Sequence, residues 1–354
     1  MANPTECLCI VRGSINRDEY FHVKSIARPG ETISSTKYES RIGGKGANQA
    51  VAIARAGGNV KFYGTIGKDG LWIKDEMNSY GVDASSILVS EEPTGRALIQ
   101  VAEDGENSIV LFPGANHNQL HEQTPTSIFG SSFTNSNATT TTTQIQPTHL
   151  LLQNEIHFDS TIQAMKKFGK QACIIFNPSP LPSAEQIRRE VPWENITWLI
   201  INRGEAEDLV SAFGNTGLTP DSPIDEVISG LESQPSLKDV NIVCTLGSNG
   251  VIGFLPSMHR TPDGPSILYV PASRVVGGVK DTTGAGDCFT GYFVAGLMEL
   301  GPGKWVGDGI SQEDVVGLLE RCVQAAAMCV EKPGTIDSIP SRGEVDERMK
   351  DRPT

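Results

Sequence analysis

Short apolar runs rich in Val, Ile, Leu and Cys alternate along the chain with longer stretches whose apolar residues recur every three or four positions. The first pattern fits strands buried on both faces, as in a parallel sheet, and the second fits amphipathic helices laid over that sheet. Strands are expected at 7–11, 60–66, 149–153, 172–176, 197–201 and 241–246, and helices at 47–56, 160–168, 205–213, 224–231, 286–300 and 314–330. Strands and helices taken in turn predict an α/β fold, a doubly wound and mostly parallel sheet flanked by helices, as a single domain over residues 1–354.

Two stretches break the alternation. Residues 21–38 and 95–112 read as extended pieces around Pro29-Gly30 and Asp104-Gly105, so they pair into a small β lid, with segments at about 20–40 and 95–113. The other break, about 118–148, includes five consecutive threonines (139–143) and is too polar and too low in complexity to pack, which predicts a disordered surface insertion.

Charge narrows the partners. With 42 acidic against 29 basic residues and a net charge of −13, the chain lacks the clustered Lys and Arg that a polyphosphate backbone requires. A small molecule is expected, and no nucleic acid. No apolar run reaches the roughly 18 to 20 residues of a membrane helix and no basic leader precedes an apolar stretch, so no membrane is expected and the location is cytoplasmic, or cytoplasmic and nuclear. The seven cysteines are odd in number, form no CxxC pair and sit mostly in apolar segments, as reduced core thiols do.

Chemistry-bearing residues gather at glycine-rich turns. In Asp281-Thr282-Thr283-Gly284-Ala285-Gly286-Asp287 an extended stretch runs into an apolar helix. Glycines there bare the N–H groups of a helix start, which can hold an anion, and Asp287 stands where it can take a proton from a hydroxyl. An ordinary turn with Asp287 near the cap fits the same residues. Gly43-Gly44-Lys45-Gly46-Ala47-Asn48 opens a second helix without the Walker A pattern, which leaves Lys45 and Asn48 for sugar hydroxyls or for solvent. Asn16 and Asp18, after the first strand, can share a face and bind a vicinal diol, or form a turn. Glu155, and Asn202 with Glu205, follow two further apolar runs; the latter pair suits either a hydrated Mg²⁺ or a capping box. Thr245 to Gly250 joins two strand-like pieces and either lies along a nucleotide or makes a hairpin connection.

In this order GSINRD, GGKGANQA, NPSP (Asn177 to Pro180), NRGE, TLGSNG and DTTGAGD closely resemble the ribokinase family of carbohydrate kinases, over about residues 9–340. The resemblance implies ATP-dependent phosphorylation of D-ribose at its 5-hydroxyl. It makes Asn16, Asp18, Gly44, Lys45, Asn48 and Glu155 sugar contacts, together with Asp287, the general base. Gly284, Ala285 and Gly286 become the anion hole, and Asn202, Thr245, Gly247, Ser248, Gly250 and Gly286 the nucleotide contacts. Glu205 is implied in Mg²⁺ binding. Asp281, Thr283, Cys329, Lys332, Gly334 and Ser338 are implied around an activating K⁺, mostly through backbone carbonyls. A homodimer through the β lid is implied as well. Another furanose (2-deoxyribose, fructose or a nucleoside) remains an alternative acceptor, and a non-catalytic sugar sensor an alternative class. The polar set Asn16, Asp18, Lys45 and Asn48 favours a free sugar over a nucleoside, whose base calls for an apolar wall.

Overall fold

The computed structural model describes residues 7–118, 146–215, 217, 222–259, 267–301, 304–305 and 309–351. Most of the insertion expected at 118–148 lies outside the described residues. An eight-stranded sheet runs in the order Leu268–Val270, Val251–Phe254, Asn241–Thr245, Trp198–Asn202, Cys173–Phe176, His149–Leu152, Cys9–Arg12, Val60–Tyr63. The pairings from Asn241–Thr245 to Val60–Tyr63 are parallel. Val251–Phe254 and Leu268–Val270 close the other edge antiparallel.

Successive strand residues divide between two cores, as a period of two demands. Val11, Leu151, Ile175, Ile200 and Val243 face one core, built with Lys45–Arg55, Ala285–Leu300 and Gln312–Cys329. Ile10, Leu150, Ile174, Leu199 and Ile242 face the other, under Phe158–Phe168, Arg203–Ala212 and Ile224–Glu232. This is the α/β sheet with helices on both faces that the apolar pattern predicts. All seven cysteines are free and buried.

A second, four-stranded sheet has the order Lys37–Gly43, Asn16–Val23, Gly95–Ala102, Asn107–Phe112. Its central pair is parallel and the outer pairs are antiparallel. It starts earlier than residue 20: Asn16 and Asp18 are strand residues here rather than a turn, two apart and so on one face.

The run expected as one strand at 60–66 is two. Val60–Tyr63 joins the main sheet, while Thr65–Gly67 pairs with Leu88–Ser90 in a separate ribbon. The break falls at Gly64, where a Cβ would overlap the Phe62 ring and press on the Gly13 carbonyl. Helices at Trp72–Ser79, Ala184–Arg189 and Arg342–Lys350 were not expected from the apolar pattern.

Candidate active site

The polar residues collect at the carboxyl ends of the parallel strands, where open α/β sheets place their ligands. Ser14 follows Cys9–Arg12, Gln153 and Glu155 follow His149–Leu152, Asn177 follows Cys173–Phe176, and Asn202 and Thr245 end their own strands. Two glycine-opened helices point their N-termini at the same region. Gly44 caps Lys45–Arg55 at φ 87°, and a side chain there would crowd Ser14 and the Asn16 amide. Gly284 caps Ala285–Leu300 in the left-handed region at φ 79°, where a Cβ would strike Thr335. Nearly two turns into the second helix, Gly291 lets the two helices touch, since a Cβ at that position would overlap Ala52.

That contact sets Asp287, on the first turn of one helix, against the first turn of the other. Asn48 Nδ2 donates to Asp287 Oδ2 and Gln49 Nε2 donates to Asp287 Oδ1, both at 2.9 Å. Glu155 Oε2 accepts from the Ser14 hydroxyl at 2.6 Å and from the Lys45 amide at 2.8 Å, so the carboxylate supplies a cap that Gly44 has no side chain to give. Asn16 Oδ1 accepts from Asn116 Nδ2 at 2.8 Å, and Asn116 also bonds both backbone groups of Ile15.

Electrostatics tie these groups together. Asp18 is buried, its Oδ1 has no hydrogen-bond partner, and a Cβ on the facing Gly43 would overlap its carboxylate. Burial, then the charges of Glu155 and Asp287, push its pKa up to about 7. Asp287 raises the Lys45 ammonium above the ordinary lysine range against the effect of burial, with help from Glu155 and Glu205. Burial raises Glu155, in part offset by the Ser14 hydroxyl and Lys45. A single ammonium thus stands among several carboxyls, and Asp18 Oδ1 and Asn48 Oδ1 are buried acceptors still to be satisfied.

Across Gly286 the surroundings change. A cavity of about 460 Å³ is lined by Thr245, Gly247, Ser248 and Gly250 from the connection between two antiparallel strands, by Ala285 and Gly286, and by apolar Val275, Phe289 and Val323. Asn202 is not on that lining. Its Oδ1 accepts from the Glu205 backbone amide at 2.9 Å, and Glu205 Oε2 accepts in return from the Asn202 backbone amide at 3.0 Å. The pair is therefore a capping box on Arg203–Ala212, and Glu205 is half-buried with its charge felt at Lys45. The anion turn is free of steric obstruction at Gly286, where a would-be Cβ meets nothing within 4 Å beyond its chain neighbours and its own helix backbone. Ala285 bends its amide back toward the Thr282 carbonyl at 3.3 Å.

The residues implied around K⁺ are only partly gathered through their side chains. Asp281 accepts from the amides of Thr283 and Gly334, at 2.9 and 3.0 Å, and so joins the turn before the helix to the loop after Gln312–Cys329. Burial works against the Asp281 carboxylate, but those two amides together with the Thr283 hydroxyl and the Arg41 charge hold its pKa below the ordinary value. The Cys329 thiol meets the Ser338 hydroxyl at 2.9 Å, while the Lys332 ammonium turns away to Glu344. Among the described residues no group of three His, Cys, Asp or Glu could hold a metal ion.

Gln49, Gln153, Asn177, Ser14 and Asn116 are site residues that pattern reading did not single out. Gln49 had a readable signal: a polar residue among the buried alanines of its helix. Asn177 opens the NPSP segment, whose spacing by itself assigns it no chemistry.

An α/β sheet with two glycine-opened helices meeting at an aspartate, and with a polar cradle on one side of it and a cavity on the other, is the ribokinase-like fold and its candidate kinase site. The model of the pfkB family of carbohydrate kinases matches residues 7–342, and the chain belongs to that family. It is 33% identical over 350 residues to a ribokinase of Haemophilus influenzae, covering 96% of this chain and 97% of that protein. It is 30% identical over 352 residues to a ribokinase of Arabidopsis thaliana, covering 96% and 80%. A crystal structure of ribokinase from Cryptococcus neoformans var. grubii serotype A in complex with ADP superposes with a TM-score of 0.77 at 41% identity, covering 97% of this chain and 99% of that one. The Arabidopsis ribokinase complexed with ribose and ATP superposes at 0.74 and 27% identity, covering 98% and 99%. The chain is accordingly an enzyme, a carbohydrate kinase. Among the described residues no helix is long and apolar enough to cross a membrane.

Proposed function

We propose that the protein transfers the γ-phosphoryl group of ATP to the 5-hydroxyl of D-ribose, giving ribose 5-phosphate and ADP. The observation that carries this reading is the position of Asp287, at a glycine-rich helix start between a cradle of buried acceptors and a cavity of nucleotide size. Asn16, Asp18, Gly44, Lys45, Asn48 and Glu155 hold the sugar, with Asp18 and Asn48 Oδ1 accepting from its hydroxyls. Thr245, Gly247, Ser248 and Gly250 line the nucleotide, and Asn202 reaches its phosphates. Asp287 takes the proton of the attacking hydroxyl, while the N–H groups of Gly284, Ala285 and Gly286 receive charge on the transferring phosphoryl oxygens. The protein's contribution is then mostly positioning and charge stabilisation.

Mg²⁺ bound with ATP supplies neutralisation of the phosphate charge, and the half-buried carboxylate of Glu205, near Lys45, fits an ion that keeps most of its water. K⁺ fits the segment with Asp281, Thr283, Cys329, Lys332, Gly334 and Ser338, where the Asp281 bonds already join the two loops that flank the anion turn. Residues 20–40 and 95–113 act as a lid within one domain. Their edge strand, Asn107–Phe112, exposes Ile109, Val110, Leu111 and Phe112, an apolar row that supports a homodimer formed through the lid. The reading also places the protein in the cytoplasm.

The test is ADP release from ATP and Mg²⁺ with D-ribose, 2-deoxyribose, fructose and adenosine in parallel, each with K⁺ or with a bulky organic cation alone. Fastest turnover with ribose, stimulated by K⁺, is the expected result. A preference for another acceptor overturns the assignment of ribose. Ribose binding without turnover of any acceptor overturns catalysis in favour of a sensor.

A further inference from the structure

Behind Asp287 lies a chain of buried amides with a fixed direction. Asn177 Nδ2 donates to the Ile200 carbonyl at 2.9 Å, and a carbonyl can only accept, so the orientation of the Asn177 amide is settled. Its Oδ1 then accepts from Gln49 Nε2 at 2.9 Å. The second hydrogen on that nitrogen goes to Asp287 Oδ1, also at 2.9 Å. On the other side Gln153 Nε2 donates to Gln49 Oε1 at 2.6 Å. Flipping Gln49 would set its carbonyl against two acceptors and its NH₂ against another NH₂. Gln49 and Gln153 are out of contact with solvent, so water cannot repair a broken member.

We infer that Gln49 is a positioning residue for phosphoryl transfer: it fixes the plane of the Asp287 carboxylate through an amide relay running from the Ile200 carbonyl by way of Asn177. The inference rests on the reading of Asp287 as the base. Asn48 alone would hold Oδ2 and leave the carboxylate free to turn about that bond, whereas two donors from adjacent residues of one helix hold both oxygens. The relay joins the ends of His149–Leu152 and Cys173–Phe176 and the middle of Trp198–Asn202 to two helices, so the reacting oxygen is referenced to the sheet itself.

Gln49→Glu keeps the shape and changes the hydrogen-bond arithmetic. A glutamic acid can donate once, and only while protonated, to either Asn177 or Asp287. The charged groups facing Asp287 are the Lys45 ammonium and the carboxyls of Asp18 and Glu155, with the buried thiols of Cys288 and Cys329 close by. All of them are common to both proteins, so a difference in pH profile between variant and wild type reports position 49. The expected result is a kcat lowered about tenfold or more, with a sugar KM within about threefold of wild type, and a kcat deficit that widens as pH rises. A folded variant with kcat within about twofold of wild type at every pH overturns the inference. Should Gln49→Glu fail to fold, Asn177→Ser decides, because it removes the acceptor on the far side of Gln49. A several-fold loss of kcat at constant KM supports the relay, and an unchanged kcat overturns it.

A readout that needs no turnover separates this inference from the reading it rests on. In ¹⁵N-labelled protein the Gln49 side-chain amide hydrogens exchange slowly, and their resonances move in Asp287→Asn. Fast exchange or unmoved resonances refute the relay even in an active enzyme. Slow exchange with no turnover of any acceptor leaves the relay standing and removes Asp287 as base.

Discussion

Asp18→Asn separates what the site does for binding from what it costs the fold. Asp18 is 9% exposed, its Oδ1 is unpartnered, and its pKa rises from 3.8 to about 7 through burial and through the charges of Glu155 and Asp287. A carboxyl whose folded pKa lies above its unfolded value binds its proton more tightly when folded. Stability is therefore greatest below the lower value and falls as pH rises through the window from 3.8 to about 7. At 1.36 kcal/mol for each pH unit of that window, the ionised carboxylate costs the fold up to about 4 kcal/mol above pH 7, about 3 of which is added between pH 5 and 8. Asparagine has the same shape and no charge, so the variant escapes this cost. The assay is thermal unfolding of the sugar-free protein at pH 5 and pH 8. Wild type should lose stability over that interval, and the variant should gain roughly 4 °C on wild type at pH 8 relative to pH 5. The sugar KM of the variant should rise at least about tenfold, because a carboxylate acceptor for two hydroxyls has become a mixed donor and acceptor. A Tm difference between the two proteins that is the same at pH 5 and pH 8 would refute the reasoning.

Asp287→Asn should fold and bind sugar yet lose about 10² to 10⁴ in kcat, and a variant keeping more than a tenth of the wild-type kcat would remove the base role. Lys45→Ala and Asn48→Ala should chiefly raise the sugar KM, which steady-state kinetics over a range of ribose concentrations will show; an unchanged KM refutes their assignment. Gly284→Ala places a side chain at φ 79° and against Thr335, so it should lower both the Tm and kcat, at a stability cost of about 1 to 3 kcal/mol, while a variant with normal Tm would show that the turn relaxes without penalty.

Much of the fold was legible because each central strand is apolar on both faces, and a strand between two helix layers shows that pattern in sequence. Gly64 hid a strand break inside an apolar run, since the two halves differ in partner and not in composition. The helices at Ala184–Arg189 and Arg342–Lys350 are too short and polar for a periodicity search. Each is announced instead by a capping box, Ser183 with Gln186 and Ser341 with Glu344, which a search for that spacing finds. The lid strand was placed too late because Asn16 and Asp18 are typical turn residues. Their strand role comes from pairing with Gly43 and Arg41 across the sheet and with Gly95 and Ala97 beside it. Within the site, the glycines and the charged residues were readable from motif and spacing. The partners of the Gln49, Gln153 and Asn177 amides were not, because they are set only when residues more than a hundred positions apart are brought together; for Gln49 the sequence shows a polar residue among buried alanines, but not what it bonds.

The central claim is a phosphoryl transfer to one hydroxyl of one sugar by a base at position 287. The most direct measurement is NMR of the product formed from uniformly ¹³C-labelled D-ribose, ATP and Mg²⁺, observing ³¹P and ¹³C, with wild type and Asp287→Asn run side by side. The account predicts a single phosphomonoester coupled to carbon 5 with the wild type and, over the same reaction time, at least about a hundredfold less of it with the variant. A phosphate on any other carbon, or the same product from Asp287→Asn at a comparable rate, would contradict it.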